Sequence, residues 1–511
     1  MDGEMDRRRF IKTVAGGAVG AAGLSVLGGL PRALASASDA AKPQEQPSRY
    51  EGKQKFTGVH NIREISEDLV YVGASDSRLA LFENVYPIPR GVSYNAYLLL
   101  DEKTVLFDTV DRSVSGQFFE NLVYALDSRP LDYLVINHME PDHCSAIAEV
   151  LTRWPAVQLI CSKAAEPMIL QFFGFELSDH GRTVKEGDQL TTGRHTLAFV
   201  MAPMVHWPEA MMTYDATDKV LFSADAFGSF GALNGNLFAD ELNFQSEWLE
   251  DARRYYTNIV GKYGPQVRDV LAKAGAVEIG TICPLHGPVW RKDLGWFIDK
   301  YVKWSSYTPE EEAVMIVYGS VYGGTENAAK VLSTHLSVGG IANVAVYDVS
   351  KSHVSVLIAE AFRCSHLVFA SITYNMDIFT PMKNLLTDLI AHNVRNRLFA
   401  LIENGSWSPV SGKKMQEALA QMQGMEQMGS TVTIRSTTNE GSFRQLNDLG
   451  DAILAAFGKS VPAAATEQTQ PAGKTAWRCT VCGYVAEAEE LPADFVCPVC
   501  GVGPDKFVKV E

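Results

Sequence analysis

The chain has 511 residues, 46% of them hydrophobic, and a formal net charge of -15. That length calls for roughly three or four domains, and that hydrophobic content is enough for sizeable cores. The acidic balance argues against a nucleic-acid partner, and it is spread along the chain as ordinary solubility would spread it.

The first stretch is Arg7-Arg8-Arg9-Phe10-Ile11-Lys12. Thr13 to Leu30 follows with six glycines and no charge, and Ala33-Leu34-Ala35 offers a small-residue cleavage site. Charged, apolar and cleavage regions in that order read as an export signal. The paired arginines before Phe-Ile-Lys resemble the twin-arginine type. The apolar run is too rich in Gly and Ala for a membrane span. Residues 1–35 therefore read as a signal segment and 36–54 as a polar linker, with the mature protein in the periplasm. A cytoplasmic protein is the alternative.

From about Val59 to Tyr301 short strands alternate with turns and some helices. Leu69 to Val72, Ala96 to Leu100 and Thr104 to Phe107 read as strands. So do Leu197 to Val200, Met211 to Tyr214 and Val220 to Phe222. Leu131 to Ile136 is a further strand, interrupted only by Asp132. It runs into Asn137-His138-Met139-Glu140-Pro141-Asp142-His143, where four potential metal ligands fall within six residues. His138 and Glu140 share a face of an extended chain, and Pro141 turns Asp142 and His143 towards a second ion. Imidazole with carboxylate suits iron, zinc or manganese. Three more candidate ligands follow strand-like runs: His206, Asp225 and His286.

From Glu312 the texture changes to strands alternating with helices. Ala313 to Tyr318, Val344 to Val349, Leu367 to Ala370, Leu398 to Ile402 and Thr431 to Ile434 read as five apolar strands. Thr380 to Ile390 and Lys413 to Met422 are among the helices between them. This pattern is a doubly wound parallel sheet, which binds ligands at the carboxyl ends of its strands. After the first strand comes Gly319 and then Ser320-Val321-Tyr322-Gly323-Gly324-Thr325, whose small residues let backbone N–H groups close on a phosphate at a helix N-terminus. Two more loops follow later strands: Ser371-Ile372-Thr373-Tyr374-Asn375-Met376, and Glu403-Asn404-Gly405-Ser406-Trp407-Ser408. Tyr374 and Trp407 can stack on a planar ring.

Lys459 to Thr475, rich in Ala, Thr, Gln and Pro, reads as a flexible linker. Beyond it, Cys479-x-x-Cys482 and Cys497-x-x-Cys500 stand 14 residues apart and make a four-thiolate tetrahedral site for iron or zinc. So short a segment buries little core, so the metal supplies folding energy. Cys144, Cys161, Cys283 and Cys364 have no framework spacing and read as buried thiols.

His-x-Glu-x-Asp-His, then His, Asp and His at intervals of 68, 19 and 61, resembles the metallo-β-lactamase-like domain of the flavodiiron proteins. Zinc hydrolases of that superfamily carry a second histidine where Glu140 stands. A carboxylate there favours a redox-active iron. The loops after 318, 370 and 402 resemble the FMN loops of flavodoxins, and the cysteine segment with Trp477, Tyr484, Phe495 and Phe507 resembles rubredoxin. The resemblance implies an αββα sandwich over 55–305, a flavodoxin-like FMN domain over 310–458, a linker over 459–475 and a rubredoxin-like domain over 476–511. It implies one iron on His138, Glu140 and His206, and a second on Asp142 and His286 with His143 as an extra ligand. Asp225 bridges them, and no catalytic residue is expected beyond these. The FMN contacts implied are residues 320–325, Ser371, Thr373, Tyr374, Asn375, Gly405, Ser406 and Trp407. The activity implied is reduction of nitric oxide to nitrous oxide, or of dioxygen to water. Electrons would come from a reductase through a rubredoxin iron and FMN, in a homodimer or homotetramer. The alternatives are a zinc hydrolase and an electron carrier or sensor without gas chemistry.

Overall fold

The computed structural model describes residues 60–461, 476–481, 484–488 and 490–510. The segment Arg7 to Ala35, the linker 462–475 and Cys482 lie outside them. Among the described residues no helix is long and apolar enough to cross a membrane.

The first domain is built on two facing sheets. One has seven strands in the order 63–64, 69–71, 97–100, 104–107, 133–136, 158–162 and 181–184. The other has five, in the order 189–191, 196–201, 211–215, 220–222 and 281–283. Alternation along each strand sends successive side chains to opposite faces. Leu99, Val105, Phe107 and Val135 meet Leu197, Phe199, Met211 and Phe222 between the sheets. Phe107 and Phe222 stack there with ring centroids 3.7 Å apart. Leu98, Leu106 and Leu134 face outward onto helix Ser115–Leu126. Val200, Met212 and Leu221 face helix Gly264–Ala274 in the same way. The result is an αββα sandwich, as the resemblance implies.

The second domain is a parallel sheet in the order 344–348, 311–319, 364–374, 397–404. The predicted fifth strand is present as Val432–Ile434, paired with the end of Arg397–Asn404, and an unpredicted strand, Met425–Gln427, pairs with its start. Gly429, at φ +58, lies between the two. Val314 and Ile316 pack towards helices Gly324–Val338 and Glu440–Ala456. Met315 and Val317 pack towards Val354–Arg363 and Thr380–Ala391, in a core continuous with the sandwich domain. Arg397, 2% exposed, sits at that junction and donates to the carbonyls of Tyr307, Ala361, Phe362, Arg395 and Asn396.

Helix Leu249–Tyr255 runs into a π-helical turn, Tyr256–Val260. Its last three residues diverge. Arg253 makes a two-point ion pair with buried Glu310 in the interdomain connection, at 2.6 and 3.2 Å. Arg254 reaches the flavodoxin-like domain, and Tyr255 faces His286.

The C-terminal segment forms a three-stranded sheet, 485–487 with 476–479 and 507–510, over a core of Cys479, Ala486, Cys497 and Phe507. That core is too small to fold a domain without help from a metal.

Candidate functional site

His138 to His143, His206, Asp225 and His286 all follow carboxyl ends of sandwich strands, on one rim of the two sheets. The turn after Tyr133–Ile136 is fixed from behind. Asp108 accepts from the Asn137 backbone and side-chain amides at 2.7 Å each and from His138 N at 3.1 Å. Burial raises its carboxyl to about 6, against those hydrogen bonds. Pro141 then opens a one-turn helix, Pro141–Cys144, that swings Asp142 and His143 inward.

The ligand atoms fall into two groups. In the first, His138 Nε2 lies 3.2 Å from both Glu140 Oε2 and Asp225 Oδ2. His206 Nε2 is 3.0 and 3.1 Å from the same oxygens. In the second, His143 Nε2 is 3.3 Å from Asp142 Oδ2 and 3.2 Å from Asp225 Oδ1. His286 Nε2 is 3.3 Å from Asp142 Oδ2 and 3.0 Å from His143 Nε2. Asp225 thus turns one oxygen to each group. Two donors bound to one ion at about 2.1 Å and roughly at right angles stand about 3 Å apart, so these spacings fit a cation in each group. Both oxygens of Asp142, Asp225 Oδ1 and His206 Nε2 have no hydrogen-bond partner among the described residues. Buried carboxylate oxygens left so are costly unless a cation takes them.

Behind the ligands, His138 Nδ1 donates to Glu209 Oε1 at 2.8 Å, and His286 Nδ1 donates to the Ser93 carbonyl at 2.7 Å. Each contact fixes the tautomer that presents Nε2 to the metal. Nδ1 of His143 has no partner among the described residues. Burial disfavours a charge on His206, but the Asp225 and Glu140 carboxylates outweigh it and push its imidazole up to about 9. Asp225 is held well below the usual carboxylate range: its burial works the other way and is overcome by His138 and His143.

Sequence reasoning passed over Asp108, Ser93, Glu209 and Glu83. Glu83 stands at the tip of the hairpin pairing Leu81–Phe82 with Tyr86–Pro87, within hydrogen-bond reach of Glu140. Burial and the neighbouring Glu140 raise its carboxyl to about 8. Phe82 on the same hairpin meets the His286 ring edge-on at 5.4 Å. A third cluster, Asp68, His195 and Asp218, lies apart. Arg194 already pairs with both of its carboxylates, which leaves no place for a cation.

At the carboxyl edge of the parallel sheet, Gly323 takes φ +87 with open space beside it and caps helix Gly324–Val338. Ser320 Oγ accepts from Gly323 N at 3.1 Å. The loop shape and the helix N-terminus behind it fit a phosphate. Around this edge Tyr322 is 99% exposed, Trp407 85% and Tyr374 46%, so flat apolar rings stand ready for a planar ligand. Two expectations narrow here. Ser371 is fully buried and donates to the Ile372 carbonyl. Thr373 Oγ1 accepts from Val410 N and Ser411 N at 2.9 and 3.2 Å. Their hydroxyls brace the loops. The segment expected as an open loop at 371–376 is instead a tight hairpin to Asp377–Ile378, turned by Asn375 and Met376, both at positive φ.

In the C-terminal segment, Cys479, Cys497 and Cys500 bring their sulfurs within 4.8 Å of one another, and Cys479 and Cys500 are 3.6 Å apart. Sulfurs bound tetrahedrally at about 2.3 Å stand just under 4 Å apart, so these fit a four-thiolate metal. Cys482, the predicted fourth, lies outside the described residues.

A sandwich with a two-metal rim, a flavodoxin-like sheet and a thiolate-stapled module together define a flavodiiron-type oxidoreductase. Residues 92–287 match the model of the ODP family beta lactamases, and 477–508 match the rubrerythrin rubredoxin-like domain. An anaerobic nitric oxide reductase flavorubredoxin of Pectobacterium carotovorum is 30% identical, over 87% of this chain and 98% of its own. One from Vibrio vulnificus is 29% identical, over 88% and 99%. The structure of rubredoxin oxygen:oxidoreductase from Desulfovibrio gigas aligns with a TM-score of 0.72 at 28% identity, covering 78% of this chain and 98% of its own. The chain belongs to the flavorubredoxins, flavodiiron proteins with a fused C-terminal rubredoxin domain. The cofactors of that family are FMN, a di-iron site and a rubredoxin iron, and the residues at the three sites fit them.

Proposed function

We propose that this protein reduces nitric oxide to nitrous oxide at a di-iron centre. One iron is held by His138, Glu140 and His206, the other by Asp142, His143 and His286, with Asp225 between them. The single observation that carries this reading is Asp225, buried and offering one oxygen to each ligand group. Glu140, where zinc hydrolases have histidine, adds an anionic donor and weighs against the hydrolase reading. The names of the flavorubredoxin relatives favour nitric oxide as the gas. When bound, FMN and the thiolate iron pass single electrons, and the irons offer open positions for a diatomic molecule. The protein's part is to hold His138 and His286 by their Nδ1 partners, to bury Asp142 and Asp225 and to roof the site with the hairpin at 81–87.

The division we propose is a sandwich over 55–305, an FMN domain over 310–458 and a rubredoxin-like module over 476–511, joined by a linker that lets a reductase dock on the module. The open rings of Tyr322 and Trp407 support a homodimer in which a second copy covers the flavin edge. Export to the periplasm rests on Arg7 to Ala35 alone, and a mature N-terminus near Ser36 tests it.

Metal analysis and anaerobic gas consumption test the main reading. Glu140→Ala should lose sandwich iron and gas reduction and keep the flavin and rubredoxin absorbance. Zinc in place of iron, or full turnover without Glu140, would refute it.

A further inference from the structure

The hairpin that pairs Leu81–Phe82 with Tyr86–Pro87 is only two residues deep on each side, too short to hold its own shape in water. Yet it places Phe82 on His286 and Glu83 beside Glu140, one at each half of the metal site. What holds it lies outside its own strands, on helix Leu249–Tyr255 and in the flavodoxin-like domain. Arg254, 6% exposed, donates from Nη2 to the Pro87 carbonyl at 2.5 Å. Its Nε donates to Ser355 Oγ at 2.8 Å, at the start of the flavodoxin-like helix Val354–Arg363. Ser355 Oγ also lies 2.8 Å from His353 Nδ1, and that ring caps the helix by accepting from Ser355 N at 3.2 Å. The other side of the His353 ring faces the backbone of Val85, at the hairpin turn. One arm of the hairpin is therefore gripped, and its turn faced, by a polar unit that spans the domain junction. The face of the Arg254 guanidinium is also engaged, 5.1 Å from the centre of the Phe230 ring, which itself lies against Phe82.

We infer that Arg254, Ser355 and His353 form a positioning unit, seated partly on the flavin domain, that fixes the hairpin over the irons and so sets how small molecules reach them. The access half of the inference rests on the metal reading above; the clamp itself does not. A buried guanidinium that makes two hydrogen bonds, the one to Ser355 buried, is worth far more than a surface ion pair, because removing it strands the acceptors it served. Ser355 and His353 follow Val344–Asp348, whose carboxyl end lies on the same sheet edge as the flavin loops. A shift of that edge is thereby transmitted to the roof of the metal site through side chains already in contact.

The test uses the full chain with its cofactors. Arg254→Met keeps the apolar stem and removes the donors. His353→Asn keeps an acceptor for the helix cap and removes the contact to Val85. Arg254→Lys is the conservative rescue. Loss of a buried charged hydrogen bond should speed amide exchange across 81–88 by about tenfold in Arg254→Met, and by less in the other two. Azide, a small anion that serves as a probe of access, should bind the oxidised site with an affinity changed about threefold or more. The KM for nitric oxide should move further than kcat, with iron and FMN content unchanged. Unchanged exchange across 81–88 in both Arg254→Met and His353→Asn would overturn the clamp. A loosened hairpin with unchanged azide affinity and KM would overturn its control of access. A purified chain with a loosened hairpin but no sandwich iron would refute the metal reading, and access control with it, while leaving the clamp standing.

Discussion

Glu209 lies 71 residues from His138 in the chain and 2.8 Å from its Nδ1 in space. The same carboxylate oxygen accepts from Met139 N at 2.9 Å, so one side chain orients both a ligand and the backbone that carries it. Removing such a partner typically costs a metal site about 10- to 100-fold in affinity. Glu209→Gln should lower iron affinity by that order and leave FMN bound. Competition with a chelator, followed by metal analysis, reads it.

His143 is the contrasting case. It points its Nε2 into the site as His286 does, but among the described residues its Nδ1 has no partner to hold the ring. His143→Ala should therefore cost less iron than His286→Ala, with a difference of roughly tenfold in affinity. Equal losses measured by iron titration would show that the ring is held by packing alone.

These two residues also mark what the sequence could tell. The proposed ligands stood out because they sit in one short motif and at strand ends with recurring spacing. Glu209, Asp108 and Ser93 were not, since their contacts join segments far apart in the chain and leave no local pattern. Ser371 and Thr373 were read as ligand contacts from the resemblance of their loop, and the structure adds that their hydroxyls brace the loops. The hairpin at 81–87 was missed because strands of two residues show no alternation. The extra strand Met425–Gln427 was missed because Glu426 and Gln427 leave it without an apolar pattern.

The edge of the sandwich carries a titratable network of its own. His195 Nδ1 is 2.7 Å from Asp215, and its Nε2 is 2.8 Å from Asp68. Burial disfavours the charge on this ring, but the two carboxylates overcome it and push the imidazole up to about 10. The folded value is raised, so the stabilisation is complete below the unfolded value of about 6.5 and drains away as pH rises towards 10. The melting temperature should fall across that window, and the gap between wild type and His195→Gln should close with it. A constant gap from pH 6 to 10 would show that the ring contributes by shape and not by charge.

Arg397 makes a prediction about the domain junction. Among the described residues it meets five carbonyls and no carboxylate, and burial pulls its guanidinium down to about 10. Arg397→Met should strand buried acceptors and destabilise the protein by about 3 kcal/mol or more. Differential scanning calorimetry should record a lower melting temperature, with sandwich iron per folded chain unchanged.

The π-helical turn after Tyr255 bears on how this protein can vary. Arg253, Arg254 and Tyr255 each serve a different neighbour: the interdomain connection, the flavin domain and the metal rim. Successive residues of a helix are about 100° apart around its axis, so one residue added or removed upstream would hand each side chain its neighbour's place. With one residue added, the Arg254 guanidinium would meet the histidine; with one removed, the phenol would meet the flavin domain. Substitutions can accumulate along this helix, but its length is held to a single value by three independent appointments.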